Sequence, residues 1–538
     1  MRTRLRLATC LGLAAIFMHL VLVLPDRPDG FRLHIFATLA LELPVLLLGA
    51  LALGRRAQWP AAFIACALMV LTALRIADIA ALEVFGRRFD PVVDMNLVSA
   101  AMRLVAGGFG IAAAVALTVA IVVALMLFGW LVYHAIGRWA RAGAALSRSA
   151  RIGAGSLALA LAVLPVAETA TALNDWDGWD PPGSSRASRL AIEEVLSFRR
   201  SRAALTEFKA AAAHDPWRDR TGALAQLHGR DVVIIFIESY GRAAFDNPGY
   251  EARHRATLMA GMAKLERAGL DMRSGWLASP VQGGQSWLAH ATIASGLEIE
   301  DQRRYGALLS SPRLTLYDIA TRAGYDTLAV APAIVLPWPE GPQFGFGHIL
   351  EAADLGYAGP PFNWVTMPDQ YTLAAFERLA PRSKPLMTEI ALISSHAPWT
   401  PVAELVPWDM VADGRIFADM AGAGPTPREV WSNRETIRRH YGLSLDYAIQ
   451  TVLDWAALPR MQQPLVIVLG DHQAAATISQ KGGMDVPMHL IGPPETITLF
   501  DNWGWTKGLE PDADLPTWPM NRFRDRFLDA TSVPEGQL

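Results

Sequence analysis

Two stretches of the sequence end in residue types that bind metals. The apolar run 232–237 leads directly into Glu238, and a second apolar run, 465–469, is followed closely by Asp471 and His472. Two carboxylates and an imidazole form a ligand set that suits zinc or manganese. A carboxylate after a core strand can equally be a salt-bridged or capping group, and a buried aspartate often only orients a histidine. Neither stretch is therefore decisive alone.

A third stretch supplies a candidate nucleophile, Ser286. Gly283 and Gly284 break the chain just before this serine, and a helical pattern starts directly after it. Unpaired N–H groups and the helix dipole favour an anion at a helix N-terminus, although a serine there can equally be an ordinary N-cap. A divalent cation would make a coordinated serine hydroxyl a strong nucleophile. Together the three stretches predict a metal-assisted phosphoryl-transfer site in which Ser286 is both nucleophile and metal ligand.

The elements that must position these residues are strands of a parallel sheet. A continuous apolar run such as 232–237 is typical of a strand buried on both faces, and ligands of open α/β sheets bind at the carboxyl ends of the strands. From Asp231 onward, short apolar runs alternate with helical stretches, which predicts an α/β domain with a mostly parallel sheet. The predicted strands cover residues 232–237, 327–331, 386–393, 465–469 and 486–491.

The first third of the chain is too apolar for a wholly soluble protein. The 538 residues are 52% hydrophobic and 18% charged, and the mean hydropathy is +0.23. The excess lies in five segments that each have roughly the 20 apolar residues of a membrane-spanning helix; they cover residues 5–24, 33–54, 59–81, 104–136 and 152–173. A cleaved signal peptide would explain only the first segment. The sequence therefore predicts an α-helical membrane region of five spans.

Arginines indicate how these spans are oriented. They cluster at the N-terminus, in the second short loop and before the last span, and the positive-inside rule makes these three segments cytoplasmic; the arginines are Arg2, Arg4, Arg6, Arg55, Arg56, Arg138, Arg141, Arg148 and Arg151. With five spans, everything after about residue 174 lies outside. We therefore expect a transmembrane domain (1–174), a juxtamembrane helical linker (175–230) and an extracytoplasmic catalytic domain (231–538).

Charge and cysteine content exclude some classes of function. The net charge of −3 gives no argument for nucleic-acid binding. The 2 cysteines, Cys10 and Cys66, lie in predicted spans, so we expect neither a disulfide nor a thiol nucleophile in the outer domain. Within the spans, Glu42, Arg75 and Asp78 are expensive to bury and are expected to face partners. A Glu42–Arg75 pair that fixes helix packing is favoured over a substrate pathway.

Residues 231–494 resemble the alkaline phosphatase and sulfatase superfamily, and especially its membrane-anchored branch of lipoteichoic acid synthases, phosphoglycerol transferases and phosphoethanolamine transferases. In this resemblance, Glu238 of IFIES falls at the first metal carboxylate and Ser286 at the nucleophile. Asp471 and His472 of LGDH fall at the closing metal pair. The resemblance implies an α/β sulfatase-like domain whose metal ligands are these four residues.

The resemblance also bears on two histidines and on the choice of nucleophile. His396 in SSHAPW resembles the substrate-contacting histidine of the family, and His489 in VPMHLIG resembles a further histidine near the metal pair. Each can alternatively be a hydrogen-bonded core histidine. In SWLAHATIASG, a Ser-Gly pair stands where the sulfatase pattern has Thr-Gly, which favours Ser286 over Thr292 as the nucleophile. The expected catalytic residues are Ser286, His396 and His489.

The sequence also departs from the sulfatase signature. That signature has a proline two places and an arginine four places after the nucleophile, where this chain has Leu288 and His290, so a sulfate ester hydrolase is not expected. His290 could face the site or solvent, and Arg242 and Arg313 are either phosphate clamps or ordinary solvated arginines. Ethanolamine transferases of the branch tend to have disulfides in the outer domain. The lack of cysteine there favours a phosphoglycerol-like head group.

The resemblance implies an enzyme of the bacterial inner membrane whose catalytic domain faces the periplasm. It would use one divalent metal ion, zinc or manganese, to transfer a phosphorylated head group from a glycerophospholipid donor to a glycan or glycolipid acceptor through a phosphoserine intermediate. Two alternatives stay open: a phosphodiesterase, phosphatase or sulfatase-like hydrolase of the same fold, and a catalytically silent membrane protein that binds a glycan. The expected partners are the phospholipid, the acceptor and the membrane, and not nucleic acid.

Overall fold

The chain folds as two compact units in the computed structural model. The first comprises Met1–Glu83 and Arg87–Ala204, and the second comprises Val84–Gly86 and Leu205–Leu538. We call them the helical unit and the sheet unit. The structure describes residues 2–27, 30–85, 87–91, 94, 98, 101–102, 105–106, 110–174, 182–480 and 483–533.

The helical unit consists of apolar helices, as the composition predicts. A further long helix, α8, follows them in the region predicted as a juxtamembrane linker. The helices are α1 (Arg2–Val23), α2 (Leu33–Ala37), α3 (Glu42–Leu53), α4 (Gln58–Phe85), α5 (Ile111–Ala144), α6 (Arg148–Leu161), α7 (Val163–Asn174) and α8 (Arg186–Ala212).

Within the described residues, four helical stretches are long and apolar enough to cross a membrane: Leu5–Val23, Glu42–Phe85, Ile111–Ala144 and Arg148–Leu173. The predicted apolar helical region is confirmed, whereas the predicted number of five spans is not. The second predicted span is broken because α2 ends at Ala37 and regular helix resumes only at Glu42. Its second half is continuous with the third predicted span in one stretch of 44 residues.

That stretch is folded back on itself at Gly54–Ala57. These residues form a 3-10 turn between α3 and α4, and Gly54 has a φ of 55°, a left-handed backbone that favours glycine. Glu42 and Arg75 lie about 18 and 27 Å of helix away from the turn on its two sides, yet they interact electrostatically. The two arms therefore run antiparallel.

The buried ionisable residues of the helical unit do not form the direct pair that the sequence predicts. Arg75 donates a hydrogen bond to the Val21 carbonyl oxygen at 3.0 Å, and Glu42 accepts one from the Ser188 backbone N–H at 3.1 Å. Among the side chains that the structure describes, Glu42 and Arg75 form no ion pair. Each group instead fixes a different backbone segment, which fits a packing role.

The sheet unit alternates strands and helices along the chain, as predicted. Its elements are β1 (Val232–Ile237), α9 (Ala243–Asp246), α10 (Glu251–Arg267), β2 (Asp271–Ala278), α11 (Ser286–Ser295), α12 (Gln302–Leu309), α13 (Leu316–Arg322), β3 (Asp326–Ala331), β4 (His348–Glu351), α14 (Asp369–Leu379), β5 (Leu386–Leu392), α15 (Ala418–Ala421), α16 (Pro427–Val430), α17 (Arg434–Ala456), β6 (Leu465–Gly470), α18 (Ala476–Ser479), β7 (Asp485–Gly492), α19 (Pro494–Ile497), β8 (Thr506–Lys507), β9 (Trp518–Pro519) and α20 (Phe523–Thr531).

These strands form one mixed sheet in the order β4-β3-β5-β1-β6-β7-β2-β8, and β9 pairs with β2. The five strands from β4 to β6 are mutually parallel, while β7 is antiparallel to both β6 and β2. The mostly parallel sheet is therefore confirmed, with an antiparallel side that the sequence pattern did not predict.

The register of the central strands determines which residues meet at the edge of the sheet. Ile237, the last residue of β1, pairs with Leu392 of β5 and with Gly470 of β6. Because parallel strands end at the same edge, Glu238 and Asp471 emerge side by side, next to the loop that follows β5. The carboxyl edge of β5, β1 and β6 therefore carries the candidate site.

Strand β1 is buried on both faces, as its apolar sequence predicts. Alternate side chains enter the hydrophobic cores on the two sides of the sheet: Val233, Ile235 and Ile237 on one side, and Val232, Ile234 and Phe236 on the other. Full burial of such a side chain contributes about 1.5–3 kcal/mol. The strand that ends in Glu238 is thus among the most firmly held parts of the unit.

Candidate active site

Backbone geometry sets Asp471 beside the end of β1. Its carboxylate accepts hydrogen bonds from the backbone N–H of Ser239 at 2.8 Å and from that of His472 at 2.6 Å. Gly470 permits this close approach, because a Cβ at that position would lie 1.8 Å from the Tyr240 carbonyl oxygen. The glycine before Asp471 is therefore needed to bring the two strand ends together.

Glu238, Asp471 and His472 form one compact group. His472 Nε2 lies 3.3 Å from Glu238 Oε1 and 3.7 Å from Asp471 Oδ2, and one ligand atom from each residue lies within 4.8 Å of the others. His472 Nδ1 is 3.1 Å from the Gln473 carbonyl oxygen, so Nδ1 carries the proton when the ring is neutral. The Nε2 lone pair then faces the two carboxylates.

The donor set of this group fits a divalent metal ion. Among the described atoms, His472 Nε2 is a buried nitrogen without a hydrogen-bond partner, and orphaned buried polar atoms are rare unless a ligand completes them. Two carboxylates and one neutral imidazole are ligands that zinc and manganese accept. The three side chains could therefore hold one such ion, as the sequence predicts.

The electrostatics of the group indicate a site for positive charge. Burial opposes ionisation of Glu238, but the neighbouring His472 prevails and holds the pKa of Glu238 below its usual range. Burial and the charge of Glu238 raise the pKa of Asp471 to about 6. Burial also opposes the charged imidazole, yet Asp471 and Glu238 raise the pKa of His472 to about 9. A protonated His472 thus supplies positive charge to the two carboxylates, as a bound cation would.

Ser286 lies at the same edge and points its hydroxyl at the carboxylates. It is the first residue of α11, with its Oγ 3.1 Å from Glu238 Oε2, and it also interacts with the Asp471 carboxylate. The N-cap of α11 is Gln285, so the Ser286 hydroxyl is not used for capping. The alternative reading of Ser286 as an ordinary N-cap is therefore not supported.

Thr292, the other candidate nucleophile on this helix, uses its hydroxyl in hydrogen bonds within the fold. Its Oγ1 donates to the Leu288 carbonyl oxygen at 2.8 Å and accepts from the Ile299 backbone N–H at 3.1 Å. It is buried within the core. Of Ser286 and Thr292, only Ser286 presents its hydroxyl to the three-residue group.

His396 lies at the exposed rim of the site. It stands in the loop after β5, where Ser395 Oγ donates to the Glu238 carbonyl oxygen at 2.6 Å and ties the loop to the end of β1. The His396 imidazole interacts electrostatically with the Glu238 carboxylate and is exposed. A substrate that approaches Ser286 from solvent could contact this histidine.

His290 also faces the site, which the sequence left open. Its ring stacks on Phe236 with the centroids 3.8 Å apart, and it interacts electrostatically with Asp471. Nδ1 of His290 is 2.9 Å from Glu389 Oε1, and Tyr317 donates its hydroxyl hydrogen to the other oxygen of Glu389. Glu389 and Tyr317 therefore fix the orientation of the His290 ring.

Sequence reasoning missed Glu389. It lies in the middle of the predicted strand 386–393, where an ionisable residue within an apolar run is the only signal that could have identified it. Its side chain is buried. Burial and the Glu389 charge raise the pKa of Tyr317 well above its usual value, so Tyr317 remains a hydrogen-bond donor.

His489 does not join the site residues. It lies inside β7 and is buried, with Nε2 3.0 Å from the Tyr240 hydroxyl and Nδ1 2.8 Å from Ser274 Oγ. The same Tyr240 hydroxyl is 3.0 Å from His254 Nε2. Burial lowers the pKa of His489 to about 3, so the ring is neutral. Both ring nitrogens are engaged, and this environment gives no support to the predicted catalytic role.

The two candidate phosphate clamps are also engaged elsewhere. Arg242 pairs with Asp246 and Asp485, both at 3.1 Å. Arg313 lies 3.4 Å from Asp215 and donates to the Ser295 carbonyl oxygen at 2.9 Å. These arginines hold segments of the sheet unit together. They are therefore neither phosphate clamps nor ordinary solvated arginines, the two alternatives that the sequence offered.

Comparison with known proteins agrees with this fold. A protein-family model described as Sulfatase matches residues 230–496. No curated protein is a significant match to the chain.

Several solved structures are similar to it. Lipooligosaccharide phosphoethanolamine transferase A from Neisseria meningitidis is 14% identical with a TM-score of 0.46, over 96% of this chain and 95% of that chain. The lipoteichoic acid synthase LtaP from Listeria monocytogenes is 10% identical with a TM-score of 0.36, over 62% and 78%. The phosphoglycerol transferase GacH from Streptococcus pyogenes is 12% identical with a TM-score of 0.34, over 61% and 90%.

The family match covers β1, α11 and β6, the elements that position the candidate site. The match begins directly before the strand that ends in Glu238 and ends beyond the Asp471–His472 pair. Residues 230–496 therefore form a sulfatase-like domain.

Proposed function

We propose that this protein is a membrane-anchored phosphotransferase that moves a phosphorylated head group from a glycerophospholipid to a glycan or glycolipid acceptor. The observation that carries the proposal is the position of Ser286, whose Oγ lies 3.1 Å from a carboxylate of the three-residue candidate metal group. A half-buried serine at that place is accessible to a substrate and adjacent to positive charge when a cation is bound.

In the first step, Ser286 Oγ attacks the phosphorus of the phospholipid. A divalent cation held by Glu238, Asp471 and His472 would lower the pKa of the serine hydroxyl and polarise a phosphoryl oxygen. The new bond joins Ser286 Oγ to phosphorus, the hydroxyl proton of Ser286 passes to water, and the bond between phosphorus and the diacylglycerol oxygen breaks. The leaving oxygen needs a proton, which the exposed His396 can donate from the rim.

In the second step, a hydroxyl of the acceptor attacks the phosphoserine. The bond from phosphorus to Ser286 Oγ breaks, and the head group passes to the acceptor. His396 takes the proton of the attacking hydroxyl and Ser286 Oγ regains a proton from water, which returns both groups to their starting states. His290, held by Glu389, is placed to donate a hydrogen bond to a phosphoryl oxygen through both steps.

We place the sheet unit on the outer face of a bacterial inner membrane. The apolar helices of the helical unit would keep the site near its lipid donor. The connections between helices that carry most of the arginines would lie in the cytoplasm by the positive-inside rule. A phosphoglycerol-like head group is the one we favour, because residues 231–538 contain no cysteine for the disulfides that the ethanolamine transferases tend to have.

The test follows diacylglycerol release from labelled phosphatidylglycerol by the full-length protein in detergent with added manganese or zinc. Release by the wild type and its loss in Ser286→Ala is the expected result. Ser286→Thr keeps a hydroxyl and should retain part of the activity, and Ser310→Ala is a matched exposed control. Undiminished release in Ser286→Ala would refute the proposal.

The same assay separates the transferase from a hydrolase. Labelled head group should appear on an added glycan acceptor, and little should be released into water. Equal release of free glycerol phosphate with and without the acceptor would assign the site to a phosphodiesterase of the same fold.

A further inference from the structure

Five arginines from three segments of the helical unit converge on one cavity of about 1040 Å³. They come from the turn after α3, the end of α5 and the start of α6. We call this cavity the arginine pocket; its arginines are Arg55, Arg56, Arg141, Arg148 and Arg151. Helices α4 and α5 lie between these segments in the sequence. The charges therefore come together only when the chain folds.

Two glycines shape the pocket. A Cβ on Gly143 would lie 2.1 Å from the Leu51 carbonyl oxygen, so only glycine lets α5 approach α3 this closely. A Cβ on Gly54 would lie 3.2 Å from the guanidinium of Arg151, and Gly54 has the left-handed φ of the turn. The close packing of α5 against α3 and the turn at Gly54 therefore position the arginines.

The pocket has positive charge without a counter-charge. Arg151 donates to the Ala52 and Leu53 carbonyl oxygens at 3.0 Å, the unpaired end of α3. The other four arginines form no ion pair within the part of the chain that the structure describes, and no aspartate or glutamate lines the cavity. Like charges that line one cavity repel each other, and a bound anion would relieve that repulsion.

The remaining lining residues indicate what kind of anion is bound. They are apolar: Ala52, Leu53, Ala144, Ala145 and Ile152. The pocket lies where three helical stretches of span length begin, end or turn, the depth at which lipid head groups meet the hydrocarbon. An amphipathic ligand can place its phosphate on the arginines and its chains against the apolar wall.

We propose that the arginine pocket binds the phosphate of an anionic membrane phospholipid. Guanidinium groups match phosphate oxygens in bidentate geometry, and arginines from separate helices can surround one head group. The bound lipid would hold α3, α5 and α6 together at their arginine-bearing ends. This role is independent of the chemistry at Ser286.

The test titrates the full-length protein in a nonionic detergent with phosphatidylglycerol and, separately, with phosphatidylcholine, and counts bound lipid by native mass spectrometry. The pair Arg56→Gln and Arg148→Gln removes two charges from two segments of the pocket. The matched pair Arg6→Gln and Arg138→Gln removes two charges from exposed arginines outside its lining.

We expect phosphatidylglycerol to bind more tightly than phosphatidylcholine and the pocket pair to weaken that binding about tenfold or more, with the matched pair within about twofold of the wild type. The pair Arg56→Lys and Arg148→Lys keeps the charge that membrane insertion requires, so it tests the site even if the glutamine pair fails to insert. We expect it to weaken binding about threefold, because lysine lacks the guanidinium fork.

Equal losses in the pocket and matched pairs would overturn the proposal, because they would show diffuse charge attraction. Wild-type affinity for phosphatidylglycerol in the variant with Arg56→Lys and Arg148→Lys would show that binding does not require guanidinium groups. Displacement of the lipid by millimolar inorganic phosphate, without preference for phosphatidylglycerol, would show a soluble phosphate site in place of a lipid site.

Discussion

Two groups of buried residues in the sheet unit contain histidine, yet their environments are opposite. In the first, His472 faces Glu238 and Asp471 across 3.3 and 3.7 Å. In the second, which we call the histidine network, His489 and His254 share the hydroxyl of Tyr240 as a hydrogen-bond partner. The other ring nitrogen of His489 is hydrogen-bonded to Ser274 Oγ. The first group lies at the carboxyl edge of the strands, and the second lies inside the core.

The difference teaches that residue type alone does not identify a metal centre. Burial is common to both groups, but only the first contains carboxylates. These raise the pKa of His472 to about 9, whereas burial lowers the pKa of both His254 and His489 to about 3. One group has an excess of negative charge and fits a cation, and the other consists of two neutral rings that are both hydrogen-bonded to Tyr240.

The largest effect should come from removing a metal ligand. His472→Gln or Asp471→Asn should lower the transfer rate on the order of 1,000-fold, because the charge that stabilises the transition state is lost. Metal content, measured by mass spectrometry of the purified full-length protein, should fall in parallel. The matched variant His489→Gln should keep its metal. Loss of metal from His489→Gln, with retention in His472→Gln, would reverse our assignment of the two groups.

A smaller effect is expected at His290 and its partner Glu389. Glu389→Gln should lower kcat about tenfold while the metal content is unchanged, because outer partners that orient a functional group typically affect activity to this degree. Tyr317→Phe, which removes only the second partner of Glu389, should have a weaker effect. Wild-type kcat in His290→Ala would show that this histidine has no part in the reaction.

Much of the sheet could be predicted from the sequence because its central strands are buried on both faces. The apolar runs of β1 and β6 have no competing helical period, and the residues that follow them must meet at one edge. Strand β2 was missed because Asp271–Ala278 carries an arginine, a serine and a glycine and lies on the antiparallel side. Its pairing with β7 depends on contacts far apart in the chain.

Candidate site residues that follow strands have a local signal in the sequence, whereas the surroundings of residues within strands have none. Glu238 and Asp471 stand directly after apolar runs, which is a local signal. His489 and Glu389 lie in the middle of strands, and only the packed structure shows that one points to Tyr240 and the other to His290. The five-span prediction likewise overlooked the interruption between α2 and α3, since hydropathy does not report where a helix ends.

Breaking the histidine network should cost stability and leave the chemistry intact. Tyr240→Phe removes the hydroxyl between His254 and His489 and leaves buried nitrogens unpaired, which costs about 1–3 kcal/mol. The thermal midpoint of the full-length protein should fall, while metal content stays at the wild-type level. If Tyr240→Phe lost metal without losing stability, the network would belong to the metal centre.

The last effect concerns the acid stability of the network. Its histidines have folded-state pKa values of about 3, below the usual value of about 6.5, so the unfolded chain binds more protons between these limits. The stability they contribute is present above about pH 6.5 and is lost as the pH falls towards 3. Replacing one of them, as in His489→Gln, should make the loss shallower by up to about 1.4 kcal/mol per pH unit. Unfolding followed by tryptophan fluorescence between about pH 4 and 7 measures this slope, and an unchanged slope would contradict a neutral buried His489.

The central claim is that Ser286 attacks phosphorus beside a metal held by Glu238, Asp471 and His472. The most direct test incubates the full-length protein with metal and labelled phosphatidylglycerol, stops the reaction in acid, and maps any covalent adduct by peptide mass spectrometry. We predict a glycerophosphoryl group on Ser286 that is absent without metal and absent in Glu238→Gln. Product formation with no adduct, or with an adduct on another residue, would contradict the account.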